Sequence, residues 1–520
     1  MNCCLYRHLL DLNRFHGIYK ERDDDFIVQE LDEDGEPVVL GQFIDIDISQ
    51  LYQLVSENDV YQIQEYLDEM KNNCDINKEF ILKETFSKET RKQIHAILNS
   101  VSPEYRTTTN EDGYIILYHK KNKKYQKRDN NRQWTFKDKL YLEFTLQKKG
   151  IDTLSALDLL SKQLKRKNNI FTYKGIKDKN AITTQKIRAY KVTHHELINS
   201  VSTNKSIAVS DFKYVSQPFS TSLSTGNQFY IKCRHISPKP LSSVLALFTM
   251  GLSTMGFINY YGLQRFGLAE KEGFSSDSIG LSILRNNYQE VIEKLLDESI
   301  HPLFAYSYSL YKQGIKQNKA IDVIPIQFQQ ERQIISSLYT SKGNYLTAFA
   351  SISLQKRLFY IHSFQSLLFN KMASFRISSF WNKTIPGDFI IQDSESTIKI
   401  NNTNTPNYMP SISILNKDNY TKYTMDKIVL PIPGQYTQIP AYMSSYYSKL
   451  LNDYNLSSNC WSECIQEYRM SGTYRNIIKI PSNLKITSTT ENDDSIINLS
   501  FSLGSGCYAT MLLRELIEIK

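Results

Sequence analysis

The sequence predicts a mixed α/β protein with more than one domain, on three grounds. The chain has 520 residues, more than a single hydrophobic core usually serves. Hydrophobic residues make up 41% and charged residues 22%, enough to fill a core and unlike a disordered chain. Short β-branched and aromatic runs alternate with segments whose leucines recur at helical spacing.

From the N-terminus, Ile18, Tyr19, Phe26, Ile27 and Val28 are strand formers around a charged bend at Asp23–Asp25. Residues 41–130 mix helical patterns (Ile44–Met70, Lys88–Leu98) with polar breaks, end in a basic run, and read as an inserted unit. Tyr141–Leu146 is the next strand. Asp152 or Thr153 caps a helix through Leu164, because Leu157, Leu160 and Leu164 fall on one face. Ile170–Tyr173, Ile187–Val192 and Phe229–Cys233 are strands, and helices are predicted over Leu241–Met250, Gln289–Leu296 and Leu354–Arg376. Residues 386–440, rich in Asn, Ser, Thr and Pro, read as loops with short strands. The chain closes with a strand (Ile496–Leu503), a bend (Gly504–Gly506) and a helix over Ala509–Ile517.

The formal charge is +8, from 62 Lys plus Arg against 54 Asp plus Glu. That modest excess suits a basic face meeting a polyanion without proving one, and a composition rich in Asn, Lys, Ile and Tyr reads first as compositional bias. The seven cysteines (Cys3, Cys4, Cys74, Cys233, Cys460, Cys464 and Cys507) show no framework spacing, so reduced thiols and an intracellular protein, in nucleus or cytoplasm, are expected. Cys460 and Cys464 lack a second ligand pair, so no zinc is expected. No apolar run reaches the roughly 18 residues of a membrane span, and Tyr6, Arg7 and His8 interrupt the apolar start, which excludes a signal peptide.

The most informative segment is Tyr173-Lys174-Gly175-Ile176-Lys177-Asp178-Lys179-Asn180-Ala181-Ile182-Thr183-Thr184-Gln185. A strand runs into Gly175, which permits a tight bend, and Asp178 follows between two lysines. Neighbouring positive charge favours a carboxylate, and an ionised, positioned carboxylate suits covalent catalysis or proton transfer. Taken alone, Asp178 reads first as an aspartate in a solvated turn.

The segment resembles the signature around the catalytic aspartate of the TruD family of pseudouridine synthases, through Gly175, Lys177, Asp178, Lys179, Ala181, Ile182, Thr183 and Gln185. Further stretches resemble the family in order. They are Gly17–Arg22 with Asp25–Glu30, then Phe144, Lys148 and Asp152-Thr153, then Gly226-Asn227-Gln228-Phe229, then Gly256–Gly267, and Phe501–Thr510 with Arg514-Glu515. Lys174 stands where the family has a small residue, and Ser222 where it has a glycine.

The resemblance implies a pseudouridine synthase catalytic domain with a long, bent, mainly antiparallel sheet, interrupted by an inserted α/β domain. The implied catalytic core combines residues 1–40, 131–255 and 466–520, the family insertion spans 256–465, and 41–130 is an extra insertion. It also implies an isomerase that converts uridine to pseudouridine, in tRNA first, with small nuclear and messenger RNA as substrates of larger members. The enzyme would be a monomer needing no cofactor, metal, membrane, guide RNA or protein partner.

Within that reading Asp178 is the nucleophile, either forming a covalent adduct or taking a sugar proton, and Lys20 is a second catalytic residue pairing with Asp178 or a phosphate. The reaction breaks the bond from C1′ to N1, turns the base, and joins C5 to C1′, so the base must leave its stack. Asn227 would pair with the base edge, Phe229 and Phe501 would wall its face, and Lys177 would line the substrate site. Each aromatic reads alternatively as a core residue at strand spacing. The basic run Lys120, Lys121, Lys123, Lys124, Lys127 and Arg128 suits backbone phosphates, a nuclear-localisation cluster, or a solvated loop. Arg265 is assigned to a domain junction, and His194, His195 and His362 to structure. The competing classes are a non-catalytic RNA-binding protein of the same fold and a carboxylate hydrolase, which would need a paired acid near Asp178.

Overall fold

A computed structural model describes residues 7–41, 51–52, 54–72, 77–101, 105–119, 122, 139–201, 206–219, 225–267, 275–392, 397–399 and 408–519. The chain divides into two units, Lys20–Ile231 and Met1–Tyr19 with Lys232–Lys520.

The Lys20–Ile231 unit is built on a mixed sheet. Strand Phe26–Leu31 pairs antiparallel with Gly226–Ile231 on one side and parallel with the start of strand Ile182–Tyr190 on the other, in the register Ile27 to Ile182 and Gln29 to Thr184. Strand Tyr141–Lys149 then pairs antiparallel with both Ile182–Tyr190 and Ile207–Val215. The second of these ladders shifts register between Glu143 and Thr145, a bulge of the kind that bends a strand. Helix Thr153–Leu164 begins where predicted: the Asp152 side chain accepts from Ser155 N at 2.9 Å. It lays Ala156, Leu157 and Leu160 on Leu142, Phe144, Leu146, Ile187 and Val209, and each buried aliphatic or aromatic side chain contributes roughly 1.5–3 kcal/mol.

The strand predicted at Ile187–Val192 starts five residues earlier, at Ile182. Thr183, Thr184 and Gln185 are polar, yet all are buried within it, because Gln185 finds polar partners described below. Residues 57–119 carry helices at Glu57–Asn72, where the pattern was predicted from Ile44, and at Lys88–Val101, and also an unpredicted three-stranded antiparallel sheet. Its central strand is Ile115–His119, flanked by Glu79–Leu82 and Tyr105–Thr109. Thr107 and Thr109 look like a polar break, but both hydroxyls hydrogen-bond the His95 ring, at 2.7 and 2.9 Å. That subdomain has its own core, with Val60, Ile63, Leu67, Ile94, Leu98 and Leu117.

In the other unit, strand Phe15–Tyr19 runs parallel to Ile517–Ile519 and antiparallel to the last part of Gly226–Ser237. Glu515, 1% exposed, accepts from Leu9 N at 2.9 Å and Leu10 N at 3.2 Å and so ties the early chain to helix Ala509–Leu516. Ser482–Glu491 and Asp494–Gly504 form an antiparallel hairpin. A four-stranded antiparallel sheet joins Phe389–Ile391, Ile412–Ile414, Ile428–Ile432 and Thr473–Asn476. Helix Leu354–Phe380 carries Arg376, which meets Asp388 in a wholly buried bidentate pair at 3.0 and 2.7 Å.

Helix Ser276–Leu284 escaped prediction because its Ile279, Gly280, Ser282, Ile283 and Leu284 are all buried, which erases the amphipathic period. Gly280 lets it approach helix Leu354–Phe380: an added Cβ would collide with the Tyr360 main-chain carbonyl. Backbone cannot move aside as a flexible side chain can, so Gly280→Ala is expected to cost about 1–3 kcal/mol, read as a lowered midpoint in urea denaturation. Gly256, the first glycine of the Gly256–Gly267 string, is required for two reasons. Its φ is +76°, and a Cβ would strike the Lys479 carbonyl.

Candidate active site

The segment between strands Phe171–Tyr173 and Ile182–Tyr190 has no regular structure, so its backbone groups must find partners elsewhere. Three buried side chains supply them. Gln185 Nε2 donates to Gly175 O at 3.0 Å, and Lys177 N donates to Thr153 Oγ1 at 3.0 Å. Thr153 Oγ1 in turn donates to Gln185 Oε1 at 2.9 Å. Lys148 Nζ donates to Ile151 O at 2.8 Å, Lys177 O at 3.2 Å and Asp178 O at 2.5 Å. Gly175 plays no steric part: its φ is not positive and an added Cβ would meet nothing within 4 Å. The predicted glycine bend is therefore corrected to a loop held by hydrogen bonds from Lys148, Thr153 and Gln185. Lys174 turns away to Glu33, at 3.2 Å, and sits over the Phe219 ring.

On this loop the Asp178 carboxylate is 30% exposed and meets Lys20 Nζ at 2.9 Å. The two residues are 158 apart in the chain. Lys20 leaves its strand with φ 62°, a left-handed backbone that costs a non-glycine residue about 1–2 kcal/mol. Its ammonium also lies 4.0 Å from the centre of the Phe26 ring, a cation–π contact. The adjoining turn is closed by Arg22 N donating to Asp25 Oδ2 at 2.8 Å. Lys20 is thus a hydrogen-bonded cation of Asp178, and the sequence neighbour Lys177 reaches other groups.

Lys177 Nζ reaches Asn227 Oδ1 at 2.5 Å and Glu30 Oε2 at 3.4 Å. Asn227 and Glu30 are directly opposite on paired strands. Glu30 is 2% exposed, and burial pushes its carboxyl above the usual range while the nearby Lys177 opposes that rise. Burial likewise pulls the Lys177 ammonium down, with Glu30 opposing. An ammonium only donates, so Asn227 must turn its oxygen toward Lys177 and keep its NH2 as the group it offers. Glu30 was given no role in the sequence, although it lies in the quoted Asp25–Glu30 stretch. Its place became visible only through Lys177.

Phe229, 6% exposed, packs edge-on against Phe26 with ring centres 6.2 Å apart. Phe501 belongs to the other unit, in strand Asp494–Gly504, and is wholly buried. His194 and His362 have local partners, Tyr214 Oη at 3.1 Å and Gln365 Oε1 at 2.8 Å. Arg265 donates to Ser366 Oγ at 3.3 Å and lies between the rings of Tyr261 and Phe359. The run Lys120, Lys121, Lys123, Lys124, Lys127 and Arg128 lies outside the described residues, as does Ser222.

A half-exposed carboxylate on a backbone tied at four points can act as a nucleophile or proton acceptor with little reorganisation. The fold around it is one already seen in an RNA-modifying class, the pseudouridine synthases. The crystal structure of a Methanosarcina mazei TruD protein matches with a TM-score of 0.59 at 17% identity, over 99% of this chain and 96% of that one. In sequence, the chain is 29% identical to the Pseudouridylate synthase 7 homolog of Bos taurus and of Homo sapiens, over 97% of this chain and 79% of each relative. It is 24% identical to the Multisubstrate pseudouridine synthase 7 of Schizosaccharomyces pombe, over 77% of this chain and 65% of that protein. The family described as tRNA pseudouridine synthase D (TruD) matches residues 119–516, and the chain belongs to that family. Lys20 and Glu30 lie outside the matched residues; the fold brings them to Asp178 and Lys177.

Proposed function

We propose that Asp178 is the nucleophile with which this RNA pseudouridine synthase isomerises uridine, and that the chain acts alone, without a guide RNA, on tRNA first. The observation that carries this reading is the Lys20–Asp178 ion pair at 2.9 Å, on a loop adjoining the Lys177–Asn227 contact. The uridine leaves its stack, and the Asp178 carboxylate attacks as the bond from C1′ to N1 opens. After the base turns, C5 bonds to C1′ as the bond from C1′ to the Asp178 carboxylate breaks and frees it, the C5 proton leaves, and N1 gains a proton, so atoms balance with no redox step. Lys20 orients the attacking carboxylate. Asn227, with its oxygen committed to Lys177, donates from its NH2 to a carbonyl of the uracil edge. Uracil presents such acceptors where cytosine carries an amino group, so the committed amide favours uridine. Phe229 is the proposed wall of the base site. The division into a catalytic core of 1–40, 131–255 and 466–520 with a 256–465 insertion belongs to the same reading, as does a monomeric enzyme.

The test is nucleoside mass spectrometry of bulk tRNA incubated with the purified chain and nothing else. Pseudouridine is expected to rise, and not with Asp178→Asn. A requirement for an added RNA would remove the guide-free claim. Tight RNA binding without product from either protein would establish the non-catalytic reading instead.

A further inference from the structure

We infer that Lys148 is a positioning residue of this reaction: its protonated ammonium, by donating to three main-chain carbonyls, holds the Lys177–Asp178 turn where Asp178 can act. The inference rests on Asp178 being the nucleophile.

Lys148 sits in strand Tyr141–Lys149 and is 1% exposed. Its three protons go to Ile151 O, Lys177 O and Asp178 O, at 2.8, 3.2 and 2.5 Å, which uses every donor an ammonium has. Among the described residues no carboxylate lies within the 4 Å of an ion pair, so this buried charge is met by neutral carbonyls alone. Burying a charge in that way is costly. What the ammonium provides, and an apolar side chain would not, is a donor for each of these carbonyls: two successive carbonyls of the loop converge on it, including that of Asp178 itself. The Asp178 side chain meanwhile reaches Lys20. The Thr153 and Gln185 hydrogen bonds hold the preceding residues. Asp178 is thereby held by its main chain from one lysine and by its carboxylate from another.

The grip depends on the proton. Burial draws the Lys148 ammonium down to about 8, with the charges of Asp178 and Asp152 opposing that shift and Lys177 adding to it. Above that pH the amine keeps two donors for three carbonyls. The sign for stability is opposite. Lys148 is depressed in the folded chain, so between about 8 and its ordinary value the unfolded chain holds more protons, and folding stability from this group rises with pH. Activity and stability therefore move apart, which a merely structural lysine does not produce.

The experiment is the pH profile of kcat and KM for wild type, Lys148→Arg and Lys148→Met on tRNA, with Asp178→Asn alongside and urea denaturation at each pH. Wild-type kcat is expected to fall above pH ~8 with KM unchanged and no loss of folded protein. Lys148→Arg, whose charge persists, lacks that limb; a limb from the substrate would appear in both proteins. Lys148→Met is flat through the range and lower by roughly tenfold to a hundredfold, the size of losing hydrogen bonds to a charged group. If Arg is not accommodated, the wild-type and Lys148→Met profiles decide. A wild-type kcat that is level from about pH 7 to 9.5, or a Lys148→Met enzyme with wild-type kcat, overturns the inference. An active Asp178→Asn overturns the nucleophile instead, so the two failures are told apart.

Discussion

Asp178→Asn is expected to lower pseudouridine formation on the order of 10⁴-fold or more, the scale on which removal of an essential catalytic group acts, while the fold persists. Asparagine has nearly the same shape, and the main-chain carbonyl that Lys148 holds is untouched. What disappears is the charge proposed to attack, which is paired with Lys20. The Lys20 and Asp178 side chains are 17% and 30% exposed, and partly solvated pairs contribute about 1 kcal/mol or less. The melting temperature should therefore barely move, and any loss of product reports chemistry. Asp178→Glu keeps the charge but extends it by one methylene, and a misplacement of about 1 Å costs on the order of 10²-fold. Product from Asp178→Asn at the wild-type rate, measured on the same tRNA, would sink the mechanism.

Lys177→Met is expected to be the most destabilising change in the site. Lys177 is 7% exposed and Glu30 2%, and removing one partner strands the other charge in a dry place, a loss of about 3–5 kcal/mol. Glu30 already has a carboxyl raised by burial, and without Lys177 it rises further. A raised acid holds its proton in the folded chain at pH values where the unfolded chain has lost it. Stability is then fully present below the ordinary carboxyl range and declines as pH rises through the folded value. The deficit of Lys177→Met relative to wild type should accordingly shrink on acidification from about pH 7.5 to 5, read as urea midpoints. The double variant Lys177→Met/Glu30→Gln, which leaves no stranded charge, should recover much of the stability and still lack the group that turns Asn227. A deficit independent of pH would reject a stranded Glu30 as its cause.

Local chemistry made part of this molecule legible. Asp152 before the leucines of helix Thr153–Leu164 carried its own cap and period, and the Asp178 motif marked its loop without reference to any partner. Long-range patterns were harder. Helix Ser276–Leu284 buries Gly280 and Ser282 along with Ile279, Ile283 and Leu284, so its buried positions do not separate from its polar ones in the sequence. The Thr107-to-Thr109 strand hides its order because its hydroxyls face His95 rather than water. The lysines flanking Asp178 suggested the charge that would meet it, but a flanking side chain is not obliged to point at its neighbour. Lys177 reaches Glu30 and Asn227 instead.

By itself the sequence determined the family and the element types around the Asp178 motif, since those depend on residue identity and short spacing. Only the tertiary structure decided the pairings: Lys20 with Asp178 across 158 residues, Glu30 with Lys177, and Lys148 with the carbonyls behind Asp178. Those choices follow from strand register and burial, which place distant side chains on one face and leave each buried charge to the nearest group able to satisfy it.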